Sequence, residues 1–245
     1  MKSSVDHYLF KIRKSLESIA TDEKKKSIAY FFKHEIQCLG VSSPQTQQIG
    51  KRIIQELKEK DKAFVYALAE KLFQTGFIEE ALMAAQLVFS RKKEFETNDF
   101  VIFENWISKY VSNWAVCDTF CNQTIGTFIM NFPGFVQQVK QWGLSPKLWM
   151  RRAAAVSFIY PAKKELYIEE QLEIALLLLE DQEDMVQKGY GWMLKVLSQK
   201  QTLLVFDFVE RYKDRMPRTA LRYAIEKMPK NLKEQAMRKS FPLSL

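Results

Sequence analysis

Trp114 and Asp118 stand four residues apart in Asn113-Trp114-Ala115-Val116-Cys117-Asp118. On a helix that spacing puts an indole and a carboxylate on one face, one turn from each other. The same spacing also fits a core Trp beside a surface or capping Asp. Trp149-Met150-Arg151-Arg152 follows Ser145-Pro146 and places two arginines near a helix N-terminus, where the macrodipole disfavours cations by a few tenths to about 1 kcal/mol. A bound anion reverses that penalty, since backbone N–H groups and a guanidinium together make a phosphate site. A solvated pair tolerated at small cost is the alternative. Gln187-Lys188-Gly189-Tyr190-Gly191-Trp192 interrupts a helical pattern with two glycines, each costing about 1 kcal/mol relative to Ala. Something must approach closely there, and a tight helix crossing is the plainest candidate. Arg218 and Arg222 share a helix face in the most basic stretch of the chain, which suits phosphate contact or a solvated face equally.

Two further pairs, His34 with Cys38 and Cys117 with Cys121, are each spaced i, i+4. Two facing helices bearing them would offer four zinc ligands, although buried Cys is more commonly a small apolar filler. With His7 and His34 the only histidines, a histidine-based triad has little support, and no metal is expected.

The elements that must carry these residues read as helices throughout. Apolar positions recur at three- and four-residue intervals, and the breaks carry cap chemistry. Thr21-Asp22-Glu23 predicts a helix start with Gly40 as its C′ residue, and Ser43-Pro44 the next start. Asp61 opens a helix running to Gly76, Phe77 to about Arg91 forms another, and Asn98-Asp99 starts a further one. Stops are expected at Pro133, Ser145-Pro146, Pro161, Pro217 and Pro229. The result is about a dozen helices of roughly 10–17 residues, paired at about 35–45 residues, the spacing of HEAT and armadillo arrays. An all-α curved solenoid of HEAT-like helix pairs, residues 1–245 as a single domain, is the expected fold. A compact irregular bundle is the alternative on periodicity alone.

Composition agrees. Only 8 Gly and 7 Pro in 245 residues argue against an all-β fold, and 47% apolar with 27% charged residues against disorder. The net charge is +8, unevenly spread: residues 201–245 hold ten basic and five acidic side chains, residues 161–184 two basic and eight acidic. A basic balance suits an anionic partner. Three cysteines fit a reducing cytosol better than a disulfide framework. The start MKSSVDHYLF has no signal-type apolar region, and the run Leu172 to Leu179 is broken by Glu173 and closed by Glu180. That is far short of the ~20 residues needed to span a bilayer, so a cytoplasmic, membrane-free protein is expected.

Taken in order along the chain, these segments resemble the DNA alkylation repair family of HEAT-like-repeat glycosylases, the AlkD type. Trp114-x-x-x-Asp118 is similar to the family's tryptophan and aspartate at the lesion, Trp149-x-x-Arg152-Ala153-Ala154 to its arginine segment, and Gln187-Lys188-x-x-Gly191-Trp192 to its second lesion-side tryptophan. Leu39-Gly40-Val41 with Pro44, and the Arg218 to Arg222 segment, extend the likeness over most of the chain. One departure is Cys38, where the family carries an aromatic before the Leu-Gly pair; either Tyr30 or Phe31 takes the place of its early tyrosine.

The resemblance implies a monomeric DNA glycosylase acting on positively charged N3- or N7-alkylated purines in duplex DNA. Such a base is already a good leaving group, so catalysis reduces to stabilising the cationic sugar. Asp118 would supply the negative charge and orient or deprotonate water. Trp114 and Trp192 would offer π faces, and Arg152 would hold a phosphate and help keep Asp118 ionised. Trp149, Arg151, Lys188, Arg218 and Arg222 would join Arg152 in contacting DNA. No metal or organic cofactor is implied, nor an enclosed base-flipping pocket. Two other classes stay open: a noncatalytic HEAT-like protein binding distorted duplex, and a helical-repeat scaffold for an acidic protein.

Overall fold

The computed structural model describes residues 4–238; Met1 to Ser3 of the start segment and Lys239 of the basic tail lie outside them. The expected all-α fold is what the chain adopts. Among the described residues there is no strand, only an isolated bridge between Gln37 and Phe77. The chain divides into two compact units, Met1–Phe120 and Cys121–Leu245.

The first unit holds α1 (Val5–Glu17), α2 (Asp22–Tyr30), α3 (Ser43–Glu56), α4 (Lys62–Gln74), α5 (Ile78–Ser90), α6 (Asp99–Tyr110) and α7 (Trp114–Phe120). Local cap chemistry sets most of the starts. Ser4, Thr21 and Asp61 each accept the N–H three residues on, at 3.2, 3.2 and 2.7 Å, and Asn113 Oδ1 accepts from Val116 at 3.0 Å to open α7. The core lies where α4 packs on α5 and where Phe73, Phe103, Trp106 and Phe120 meet edge-on or tilted.

One expected boundary is wrong. α2 does not run to Gly40 but ends at Tyr30. None of its side chains is buried, so no apolar stripe holds a longer helix in place. The chain instead folds back: Thr21 N–H donates to Gly40 O at 3.0 Å, and Ile78 N–H to Gln37 O at 2.9 Å. Gly40 sits at φ +99°, and a Cβ there would lie 2.4 Å from Thr21 O, so both its conformation and its neighbour require glycine.

The second unit opens with a π-helical turn, Cys121–Ile125, followed by α8 (Gly126–Asn131), α9 (Val136–Gln141), α10 (Leu148–Val156), α11 (Ile159–Ala162) and α12 (Ile168–Leu177). It continues through α13 (Asp184–Ser198), α14 (Thr202–Tyr212), α15 (Arg218–Ile225) and α16 (Lys230–Met237). Pro161 does not stop a helix; it lies within the short α11, where its missing N–H falls among first-turn amides that have no intrahelical partner. α13 is central, packing on both α10 and α15. The crossing with α15 turns on Gly191, where a Cβ would meet Tyr223 Cβ at 2.7 Å and Ala220 O at 2.9 Å. Helix propensity alone favours Gly191→Ala by about 1 kcal/mol. Because the obstructing atoms are backbone and a Cβ, the crossing predicts the opposite sign: a loss of about 1–3 kcal/mol in urea unfolding. A stabilised Gly191→Ala variant would contradict this packing.

Candidate functional site

The indole and carboxylate of α7 sit as the spacing predicts, at its first and fifth residues, both half-buried. Buried Asn113 fixes the start of the helix through its side-chain cap and through its carbonyl, which accepts from Cys117 N–H at 3.1 Å. Trp114 stacks on Phe32, with ring centroids 5.2 Å apart and planes 17° from parallel. Nothing in the sequence distinguishes Phe32 from its neighbours Tyr30 and Phe31, either of which fits the early aromatic position. Those two are 87% and 68% exposed and pack edge-on against each other. Beside the stack lies a cavity of about 260 Å³ whose apolar wall includes Ile28, Phe31, Phe32 and Trp114.

The folded-back segment between α2 and α3 is held by Glu79, 1% exposed at the start of α5. Its carboxylate accepts from Leu39 N–H at 3.0 Å, Gly40 N–H at 2.9 Å and Val41 N–H at 3.1 Å. The Leu39-Gly40-Val41 motif is thus an amide cradle for a carboxylate of the same chain. That fold-back also removes the zinc arrangement, because His34 and Cys38 are not on a helix and share no face. Burial raises the Cys38 thiol pKa, against the thiolate a metal takes. Cys38, Cys117 and Cys121 are all buried free thiols, in keeping with an apolar filling role.

In the second unit, Trp149, Arg151 and Arg152 lie on α10, Lys188 and Trp192 on α13, and Arg218 and Arg222 on α15. The two arginines of α10 are not a solvated pair. Arg151 forms an ion pair with Asp181, Nε to Oδ2 at 2.6 Å, and donates to the carbonyls of Ser145 at 3.0 Å and Pro146 at 3.1 Å. The anion that the helix-terminus argument requires is, for Arg151, Asp181. Arg152 is 5% exposed and donates from Nη1 to Met185 O. Its stem crosses α13 at Gly189, where a Cβ would lie 3.2 Å from Arg152 Cγ. The two glycines therefore admit different partners on different faces of α13: Arg152 at Gly189, Tyr223 and Ala220 at Gly191.

This stacking joins the arginine segment, the Gly-Trp segment and the Arg218 to Arg222 segment on three adjoining helices. Trp192 is half-buried on α13, and Lys188 pairs with Asp184 at 2.9 Å. Arg218 and Arg222 are exposed, Arg218 reaching Met237 Sδ at 3.5 Å. Among the described residues no group of three or more His, Cys, Asp or Glu is placed to hold a metal ion, and no helix is long and apolar enough to cross a membrane.

The described residues make an all-helical protein, with an indole–carboxylate turn on α7 in the first unit and the arginine-bearing α10 and α15 both packed on α13 in the second. The sequence model of the family described as DNA alkylation repair enzyme matches residues 12–228, and the chain belongs to that family. A protein described as a predicted DNA alkylation repair enzyme from Enterococcus faecalis has a similar structure: TM-score 0.77 at 17% identity, over 86% of this chain and 97% of that one. AlkD2 from Streptococcus mutans superposes with a TM-score of 0.63 at 18% identity, over 91% and 99% of the two chains. No curated protein matches the sequence.

Proposed function

We propose that this protein is a DNA glycosylase that hydrolyses the N-glycosidic bond of positively charged N3- or N7-alkylated purines in duplex DNA. The observation that carries the reading is the α7 pair, Trp114 and Asp118 one turn apart at a capped helix start, in a chain of the DNA alkylation repair family.

In the proposed reaction the bond from C1′ to the purine nitrogen breaks, and its electron pair neutralises the alkylated base. The sugar is left as an oxocarbenium-like cation. Asp118 stabilises that charge and takes a proton from the water that attacks C1′, giving free base and an abasic site. Trp114, held by its stack on Phe32, offers a π face to the cationic nucleotide. Trp192 plays the corresponding part on α13, with Trp149, Lys188, Arg218 and Arg222 as DNA contacts. Arg152 enters with an altered role: buried against Gly189, it positions α13 rather than offering an open guanidinium. Arg151 contacts a phosphate only by leaving Asp181.

Purified protein incubated with methylated duplex DNA should release N3-methyladenine and N7-methylguanine, with or without a chelator, and should leave uracil in place. Duplex binding without base release, at enzyme in excess of DNA, would establish the noncatalytic alternative instead. Activity abolished by a chelator and restored by zinc would contradict the proposed chemistry.

A further inference from the structure

Leu172 to Leu179 is the most apolar run of the chain, and the core of the second unit uses only part of it. Ile174, Ala175, Leu178 and Leu179 are buried, but Leu176 and Leu177 between them are 43% and 40% exposed. α14 repeats the pattern. Its Val205, Phe206 and Val209 are buried, whereas Leu203 and Leu204 are 68% and 40% exposed. Helices that met only water on this side would carry polar residues there. The two surpluses adjoin. Leu172 and Leu176 of α12 line one open cavity of about 300 Å³ with Leu204, Phe208 and Tyr212 of α14. Leu177 extends the face toward the exposed Leu144, its Cδ2 lying 2.6 Å from where a Cβ on Gly143 would stand. Single exposed leucines need no explanation, but a contiguous apolar patch rimmed by polar groups marks a surface that another molecule covers.

The charges in the cavity wall narrow the choice of that molecule. Glu173 is already paired with Lys140 at 2.6 Å. Asp207 and Arg211, one turn apart on α14, form no ion pair among the described residues, and Arg211 lies 5.6 Å from the centroid of the Tyr212 ring. One free acid beside one free base attracts neither phosphate nor a uniformly basic peptide. The face is complemented by an apolar helix that sets a base opposite Asp207 and an acid opposite Arg211, in reversed order at the same spacing. α14 of a second copy, run antiparallel, is such a helix.

We propose that two copies of this chain associate through the face of α12 and α14, with α14 antiparallel to its counterpart. About the two-fold axis, Asp207 meets the partner's Arg211 and Arg211 meets the partner's Asp207, so one complementary pair is made twice. Helices of 10 and 11 residues offer fewer positions than the roughly 20–30 residues a side of a standard stable interface. The association is therefore weak and reversible, with a dissociation constant of about 1–100 μM. It departs from the monomer that the family resemblance implies, and it does not depend on the proposed chemistry.

Sedimentation equilibrium of the full chain over a range of concentrations tests the pairing. The wild-type protein should pass from monomer to dimer as its concentration rises. Leu204→Glu should weaken the dimer by about 100-fold or more, because the two-fold axis introduces the change twice. Asp207→Arg and Arg211→Asp should each weaken it by about 10-fold or more, since each sets like charges opposite one another. Both exchanges together should restore it to within about threefold of wild type. A chain that stays monomeric throughout would overturn the proposal and leave the leucine face to a different protein. A dimer that survives Leu204→Glu would place the contact elsewhere and overturn it equally. Loss of the dimer in both single charge variants without recovery in the double variant would overturn the antiparallel pairing of α14. Should a lowered melting temperature show that Leu204→Glu is poorly folded, the charge exchange decides the matter alone, because its recovery requires a folded, paired α14.

Discussion

Asn in place of Asp118 is expected to slow single-turnover excision of an N7-alkylated guanine by about 100- to 1,000-fold, the cost of losing one preorganised charge-stabilising group. Duplex affinity should hold or rise. The substitution keeps the size of the side chain and much of its hydrogen bonding but removes the negative charge. Only a cationic transition state needs that charge; the phosphates of the ground-state complex are repelled by it. An interaction made only in the transition state lowers the rate constant at saturating enzyme without weakening binding. A structural carboxylate gives another pattern: a lowered melting temperature, with affinity and rate falling together. Near-normal excision by Asp118→Asn at saturating enzyme would remove Asp118 from the chemistry whatever happened to stability.

What the sequence made legible follows the range of the interactions involved. Thr21, Asp61 and Asn113 start helices through bonds to the amide three residues on, so the whole determinant lies within one short window. The i, i+4 relation of Trp114 and Asp118 is legible for the same reason. The end of α2 is not, because its determinants are the distant Thr21 O, which leaves no room for a Cβ at Gly40, and Glu79, which collects the amides of Leu39, Gly40 and Val41. Neither leaves a mark near Tyr30.

Gly189 and Gly191 announce close approach, but the approaching groups lie far along the chain: Arg152 for one, Tyr223 and Ala220 for the other. The arginines of α10 show the limit most clearly. Arginine is seldom fully buried unless paired, so the sequence around Arg151 and Arg152 suggests a phosphate site or a solvated pair. Asp181, thirty residues on, and the Met185 carbonyl turn both guanidiniums inward. Nothing in the sequence around Cys121–Ile125 distinguishes the π-helical turn there from an ordinary helical one.

Glu79 is where the fold and the candidate site depend on the same group, and its removal should be among the most damaging single changes in the first unit. Gly40 and Val41 are buried, and the cradle supplies the acceptor for their N–H groups and for that of Leu39. Hydrogen bonds to a charged group contribute about 1.5–3 kcal/mol each, with imperfect additivity. Glu79→Ala should therefore lower the free energy of unfolding by about 3–4 kcal/mol, read as a shift of the urea midpoint. Glu79→Gln is the sharper probe. Its amide oxygen can replace Oε1, which accepts from all three amides. Its NH₂ then meets the Leu39 N–H donor, and the charge is lost, so about 1 kcal/mol is the expected cost. The segment so anchored carries Phe32, the stacking partner of Trp114, and leads into Ser42 and Ser43 at the start of α3. Glu79→Ala should accordingly change tryptophan emission and reduce excision even where the protein remains folded, whereas Glu79→Gln should retain most of both. Equal stability of the two variants would mean that the amides find other acceptors and that the cradle does not hold the segment in place.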